Sequence, residues 1–291
     1  MSRRLFCFGL GYTALALARA LEAEGWRIAG TTRSPERQAE LAARGIEAHL
    51  FERGRPLADA GAALAGSSHV LVSIAPDEAG EPVLGHHRAD LEGMPDLAWA
   101  GYLSTTGVYG DRDGEWVDEA DPVDPSQPRT RRRVAAEGAW LASGLPVHIF
   151  RLAGIYGPGR SALDAVRNGT ARRIVKPGQV FGRIHVDDIV QVLRASIDRP
   201  HPCAIYNLAD DEPCPPQDVV AFACELLGVE PPPEVTFEEA DLSPMARSFY
   251  LDSRRVGNER IRRELGVHLR HPTYREGLRA ILAHEAREEE A

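Results

Sequence analysis

Lysine is all but missing from this chain: of its 34 basic residues only Lys176 is a lysine, and arginine carries the rest of the positive charge. With alanine, glycine and proline also abundant, such a bias lowers the meaning of any arginine found where a lysine would be expected. Cysteine is scarce too. Cys7, Cys203, Cys214 and Cys224 lack the close pairing of a zinc site, which leaves reduced, partly buried thiols as their expected state. A basic excess is absent. The formal net charge of -9 argues against wholesale nucleic-acid binding, which requires a cationic face to neutralise phosphates. No stretch is apolar for long enough to span a bilayer, and neither internal repeats nor a low-complexity linker are present. The default is a cytoplasmic protein with a small-molecule partner, without nucleic acid or membrane, as a monomer or homodimer.

What is present suits a globular protein: 291 residues with 43 % hydrophobic content are enough for one large α/β domain or two lobes. The start "MSRRLFCFGLGYTALALARAL" is basic and then apolar, but Gly9, Gly11 and Arg19 fit a strand, a turn and a helix better than a secretion signal. The first half alternates strand and helix patterns. "RLFCFG", "WRIAGTT", "EAHLF", "HVLVSIAP" and "WAGYLSTTGVYG" read as strands, and "TALALARALEAEG" and "SPERQAELAARG" as helices. Further on, "VHIFRLAGIYG" and "CAIYNLAD" read as strands, "VDDIVQVLRASI" and "PQDVVAFACELLG" as helices, and the tail "HEAREEEA" as a fraying, solvated helix end. Such alternation predicts a doubly wound parallel sheet with helices on both faces.

"GLGYTA", Gly9 to Ala14, is a G-x-G-x-x-A pattern between the first strand and the first helix. There Gly9 permits a tight turn, Gly11 lets the backbone approach a pyrophosphate, and Ala14 allows close helix packing, with the helix N-terminus facing the phosphates. Tyr12 and Ser73 complete this part of the expected cofactor site. About twenty residues on, where an acid would favour NAD, the stretch "GTTRSPER" offers Thr31, Thr32, Arg33 and Ser34 but no carboxylate. That set suits the 2′-phosphate of NADP in preference to NAD, because a planar cation meets phosphate oxygens with two hydrogen bonds. The competing reading has Thr32 and Ser34 capping the next helix and Arg33 pointing into water.

Five stretches together resemble the extended short-chain dehydrogenase/reductases, also described as NAD-dependent epimerase/dehydratases. They are "GLGYTA", "YLSTTGVYG" at 102–110, "FRLAGIYGPGR" at 150–160, "GRIHVDDIV" at 182–190 and "IYNLADDEP" at 205–213. The resemblance implies an α/β, NAD(P)-binding Rossmann core over 1–152, with 183–209 returning to it. It also implies a smaller C-terminal substrate lobe from 153–182 and 210–291. Active members of this family carry a serine or threonine, a tyrosine and a lysine beside the nicotinamide. Thr105 matches the first of these. Aligning "RVAAE" at 133–137 puts Arg133 at the lysine position and Arg129 at the tyrosine position. A guanidinium stays protonated at physiological pH, so Arg129 cannot shuttle a proton as a phenol can.

Tyr109 is the nearest tyrosine to Thr105, with Tyr102 and Tyr156 as weaker candidates; Asp118 and Glu119 are loop acids that could enter a cleft or simply be solvated. Thr106 and Gly107 stand where the family's dehydratases place an Asp-Glu pair. Arg129, Arg132 and Arg133 share a helix face that could bind an anion, although Glu137, four residues after Arg133, favours a solvated helix with surface pairs. His185, Asp187 and Asp188 look like a metal cluster on paper but read better as a core histidine and helix-capping acids, so no metal is expected. Arg160 and Arg183 are the candidate substrate contacts. Two functions stay open: an NADP-preferring oxidoreductase or epimerase with a non-standard proton relay, acting on a small anionic or nucleotide-linked substrate, or a cofactor-binding redox sensor without turnover.

Overall fold

In a computed structural model that describes residues 3–289, the chain forms two compact units. The first comprises Met1–Thr105, Pro128–Arg151 and Val190–Tyr206; the second comprises Thr106–Gln127, Leu152–Ile189 and Asn207–Ala291. Among the described residues, no helix is long and apolar enough to cross a membrane.

The first unit opens with β1 (Arg4–Phe8), α1 (Tyr12–Glu22), β2 (Arg27–Thr32), α2 (Pro35–Ala43) and β3 (Glu47–Leu50). It continues with α3 (Ala60–Leu64), β4 (His69–Val72), α4 (Pro82–Glu92) and β5 (Trp99–Thr105). The chain then passes through the second unit, which holds β6 (Trp116–Val117), before α5 (Pro128–Leu141) and β7 (Val147–Leu152). Next come β8 (Gly154–Tyr156), α6 (Ala162–Arg167), β9 (Arg173–Val175), β10 (Arg183–His185), α7 (Val186–Asp198) and β11 (Ile205–Leu208). The remainder is α8 (Pro216–Leu227), β12 (Glu234–Thr236), α9 (Pro244–Phe249), β13 (Arg255–Val256), α10 (Glu259–Leu265) and α11 (Tyr274–Glu289). The expected fraying tail is helical through Glu289, and its final two residues lie outside the described ones.

A parallel sheet of seven strands, in the order β11-β7-β5-β4-β1-β2-β3, organises the fold. Every residue of β1 is buried, which explains why "RLFCF" is an unbroken apolar run after Arg4 and does not alternate. From β1 the chain winds outward through β2 and β3, then restarts at β4 and winds the other way, so the order reverses between β1 and β4. Ligands of such sheets bind outside the carboxyl ends of the strands at this reversal. Phe6, Phe8, Val70, Val72, Tyr102 and Trp140 belong to the core of the first unit, and Leu163, Phe222, Tyr274 and Leu278 to a separate core in the second.

Three expected strands are shorter than their apolar runs. "WAGYLSTTGVYG" leaves the sheet after Thr105 through a 3-10 turn, Thr106–Tyr109, and Gly110 at φ 71° cannot continue a strand. "VHIFRLAGIYG" changes partner part-way. Ala153 N–H bonds Leu208 O at 3.0 Å, whereas Gly154 N–H bonds Gly182 O at 3.0 Å and β8 pairs with β10 in a sheet of its own. In "HVLVSIAP", β4 ends at Val72; Ser73 N–H still bonds Phe8 O at 3.0 Å, but its side chain turns to the glycine loop.

Candidate functional site

At the reversal point, Gly9 sits at φ 94°, and a Cβ there would lie 2.7 Å from Ser73 Oγ. Only glycine fits both conditions. The turn is held by Gly9 N–H donating to Thr31 Oγ1 at 2.8 Å and by Ser73 Oγ donating to Gly9 O at 2.6 Å, so Ser73 bridges the ends of β1 and β4. Gly11 is the N-cap of α1 and has no side-chain cap; a Cβ on it would meet nothing within 4 Å. Tyr12 begins the helix, Ala14 is packed inside, and the first turn carries no acidic residue, so the partial positive charge of the helix start is not neutralised by a carboxylate of its own.

This turn opens into a cleft of about 590 Å³ lined by Gly9, Gly11, Thr32, Arg33, Ser73 and Ile74, among others. Thr31 also lines it but is almost fully buried, and its hydroxyl is committed to Gly9. Ser34 is occupied as the N-cap of α2, accepting from Arg37 N–H at 3.1 Å, with Pro35 in the first turn. The capping alternative therefore describes Ser34, while the exposed Arg33 lines the cleft. An open backbone at Gly11, an unneutralised helix start and a cation at the mouth fit a dinucleotide's pyrophosphate and ribose phosphate. Sequence reasoning missed Phe51, Glu52, Arg53, Asp77 and Pro82, which also line the cleft. No motif marks them; their signal is position alone, beyond the carboxyl ends of β3 and β4.

On α5 the arginines part company. Arg133 NH1 donates to Leu103 O at 2.8 Å and to the Tyr102 hydroxyl at 3.1 Å, which pins this side chain to β5. Both hydrogens of NH1 are thereby used, leaving the donors of NH2 and Nε. Arg132 reaches Glu78 at 2.9 Å instead, and Arg129 is half-buried near the start of the helix. The expected surface pairing of Arg133 with Glu137 is overturned. Glu137 is buried and takes Arg151 at 2.8 Å, with the Ser104 hydroxyl donating to its other oxygen, so α5 is anchored to the sheet by a desolvated charge pair.

Thr105 ends β5, only half buried. The tyrosines are less accessible. Tyr109 has no exposed surface, and its hydroxyl donates to Asn207 Oδ1 at 2.8 Å, so the geometry gives its nomination as proton donor no support. Burial pushes the Tyr102 phenol up to about 12 in spite of Arg133. Of the loop acids, Glu119 accepts from Asn207 N–H at 2.7 Å, and Asp118 closes its own turn by accepting from Ala120 N–H at 2.7 Å.

In the second unit, Arg160 and Arg183 line one cavity of about 510 Å³ together with Tyr156, Ser161, Asn168 and Tyr274. Arg183 NH1 is oriented by Phe181 O at 3.0 Å and Cys214 Sγ at 3.2 Å. Asp188 does not cap its own helix; its two oxygens accept the N–H groups of Arg270 at 2.6 Å and His271 at 3.1 Å, tying down the segment before α11. His185, Asp188 and His271 carry ligand-type atoms within 4.8 Å of one another. However, His185 Nδ1 accepts from Asp187 N–H at 3.2 Å, which places the ring proton on Nε2 and denies that nitrogen to an ion.

No protein-family model matches the chain. A solved structure from Methylobacillus flagellatus, provisionally described as an NAD-dependent epimerase/dehydratase, is 27 % identical; the match covers 98 % of this chain and 99 % of that one with a TM-score of 0.73. Solved neighbours of this chain are NAD-dependent epimerase/dehydratases, and the chain shares their NAD-binding Rossmann fold. A protein of unknown function from Silicibacter pomeroyi DSS is 52 % identical over 97 % of this chain and 99 % of that chain, with a TM-score of 0.90. Protein YeeZ of Escherichia coli K12 is 27 % identical over 245 residues, 79 % of this chain and 86 % of YeeZ. MoeE5, solved in complex with UDP-glucose and NAD, shares the fold at 21 % identity, 99 % and 100 % coverage and a TM-score of 0.74.

Proposed function

We propose that this protein is a member of the NAD-dependent epimerase/dehydratase family and acts as an NADP-preferring oxidoreductase or epimerase that transfers hydride to or from a small anionic or nucleotide-linked substrate. The observation that carries the reading is the cleft at the start of α1, where Gly11 is open, the first helical turn is free of acid and Arg33 stands at the mouth. β2 ends in Thr32 with no carboxylate, which favours a 2′-phosphate over a bare ribose. When bound, the cofactor supplies the hydride chemistry. Thr105 orients the reacting oxygen, and Arg133, at the lysine position, presents its remaining donors and its charge toward the cofactor. Arg160 and Arg183, which line the second-unit cavity, are the candidate contacts for an anionic group. MoeE5, which shares this fold, was solved in complex with UDP-glucose, a ligand of the proposed nucleotide-linked class.

Calorimetric titration with NADPH, NADP, NAD and NADH tests the cofactor half. The parent is expected to bind the phosphorylated forms at least tenfold more tightly, and Arg33→Asp to lose that preference or redirect it to NADH, since a bidentate charged contact is worth roughly 1.5–3 kcal/mol. No binding of any dinucleotide would sink the reading.

One observation favours a second reading, a cofactor-binding redox sensor without turnover: the hydroxyls of Tyr102 and Tyr109 are both committed inside the core. Thr105→Val separates the two. A catalyst loses activity by about a hundredfold with cofactor affinity unchanged, in the range of a lost proton-transfer or orienting group, whereas a sensor shows no turnover before or after the change.

A further inference from the structure

The cofactor cleft is spanned by an ion pair that neither the glycine turn nor the resemblance predicts. Arg53 lies just beyond β3 and Asp77 beyond β4, strands separated in the sheet by β1 and β2. Those three inter-strand steps amount to about 14 Å at the level of the backbone. The side chains close that distance, with Arg53 Nε donating to Asp77 Oδ2 at 2.5 Å and Arg53 NH2 to Gly80 O at 2.8 Å. Both residues line the cleft alongside Gly9, Gly11 and Arg33. They are also open to solvent, at 31 % and 46 % side-chain exposure, so a ligand can reach either partner.

The Asp77 segment is itself compact. Asp77 and Gly80 exchange both backbone hydrogen bonds at 3.1 Å, and Asp77 Oδ1 accepts from Ala79 N–H at 2.9 Å. Arg132 of α5 holds neighbouring Glu78, so the turn is clamped by one cation on each side. Asp77 is thus a carboxylate set in a cleft where the open backbone of Gly11 and the Arg33 guanidinium attract anions, and where the other lining acid, Glu52, is paired with Arg55 at 3.1 Å. Its bond to Arg53 keeps it well below the usual carboxylate range, and so ionised at neutral pH. A phosphate oxygen offers Arg53 the same acceptor geometry as this carboxylate, with equal or greater charge.

We propose that Arg53 is a phosphate-binding residue of the cofactor cleft held in reserve by Asp77, and that an incoming dinucleotide opens the strap by taking Arg53 from Asp77. The proposal rests on the cleft being a dinucleotide site. Two consequences are specific to it. Asp77 opposes binding, first by occupying the cation and then by repelling the phosphate, so removing its charge strengthens binding. That gain passes through Arg53 and vanishes when Arg53 is absent.

The test is calorimetry and stopped-flow binding of NADP and NAD to the parent, Asp77→Asn, Arg53→Gln and the double variant, with circular dichroism to verify folding of these surface changes. Inorganic pyrophosphate is a second probe. Asp77→Asn should bind NADP roughly three- to tenfold more tightly and associate faster, and Arg53→Gln roughly tenfold more weakly, as expected for one charged hydrogen bond. The double variant should match Arg53→Gln. Unchanged or weaker binding by folded Asp77→Asn, or a full gain persisting in the double variant, would overturn the proposal. If no variant binds a dinucleotide, the reading of the cleft fails separately and pyrophosphate decides on the strap: a gain in Asp77→Asn supports it, and none overturns it.

Discussion

Replacing Glu137 with alanine is expected to remove about 3–5 kcal/mol of stability, the usual cost of breaking a buried ion pair from one side. Glu137 and Arg151 are each about 5 % exposed, and Arg151 meets the carboxylate through Nε at 3.2 Å and NH2 at 2.8 Å. Loss of the carboxylate removes the countercharge of a buried guanidinium and leaves Ser104 Oγ, now bonded to Glu137, without that acceptor. A typical domain has only about 5–15 kcal/mol in hand, so urea unfolding should shift to markedly lower concentration. The double change Glu137→Leu with Arg151→Met should recover most of the loss, because it removes both charges and keeps the volume. A loss under about 1 kcal/mol in Glu137→Ala would mean the pair is no more valuable than a surface bridge. Ser104 precedes Thr105, so the same network also sets the end of β5 on which the proposed chemistry depends.

Asp210→Asn should change the pH profile of stability more than its midpoint at low pH. Asp210 lies just past β11 and is 2 % exposed, and among the described residues only the backbone N–H groups of Arg183 and Glu212, too far or misaligned for regular hydrogen bonds, approach its carboxylate. Burial pushes its pKa from 3.8 up to about 8, with nearby Arg183 opposing that rise. The native protein therefore keeps a proton that the unfolded chain has released across that window. The unfolded state binds fewer protons there, so the group's contribution is complete below pH 3.8 and is lost as the pH climbs toward 8, at up to about 1.4 kcal/mol per unit. Asparagine mimics the neutral form at every pH. The variant should match the parent in thermal melts at acid pH and exceed it by several degrees at pH 8. Parallel curves for the two proteins from pH 5 to 8 would show that Asp210 is ionised throughout in the native state.

The cleft at the glycine turn was the most legible feature of the candidate site. Gly9, Gly11 and Ala14 lie close together in the chain, and their positions follow from one strand, one turn and one helix, all local features. Arg33 was legible for the same reason, because it sits at the end of β2. Arg160 and Arg183 were named separately and meet in one cavity. The destinations of charged side chains were far less legible. Spacing along α5 made Arg133 and Glu137 natural partners, yet they take Leu103, Tyr102, Ser104 and Arg151 from neighbouring strands. Tyr109 looked available because it follows Thr105 closely, but the 3-10 turn carries it into the interior to Asn207, 98 positions away.

By itself the sequence determined the order and type of the main elements, the reversal-prone α/β pattern, the glycine turn and the absence of a carboxylate at the end of β2. These depend on periodicity and backbone sterics within a few residues. Only the tertiary structure decided where the apolar runs leave the sheet, which acid neutralises which arginine, and that Arg53 and Asp77 reach each other across two intervening strands. Pairing across the sheet depends on which strand ends are brought side by side and on how much water the fold removes from each charge. Neither quantity is encoded in local spacing.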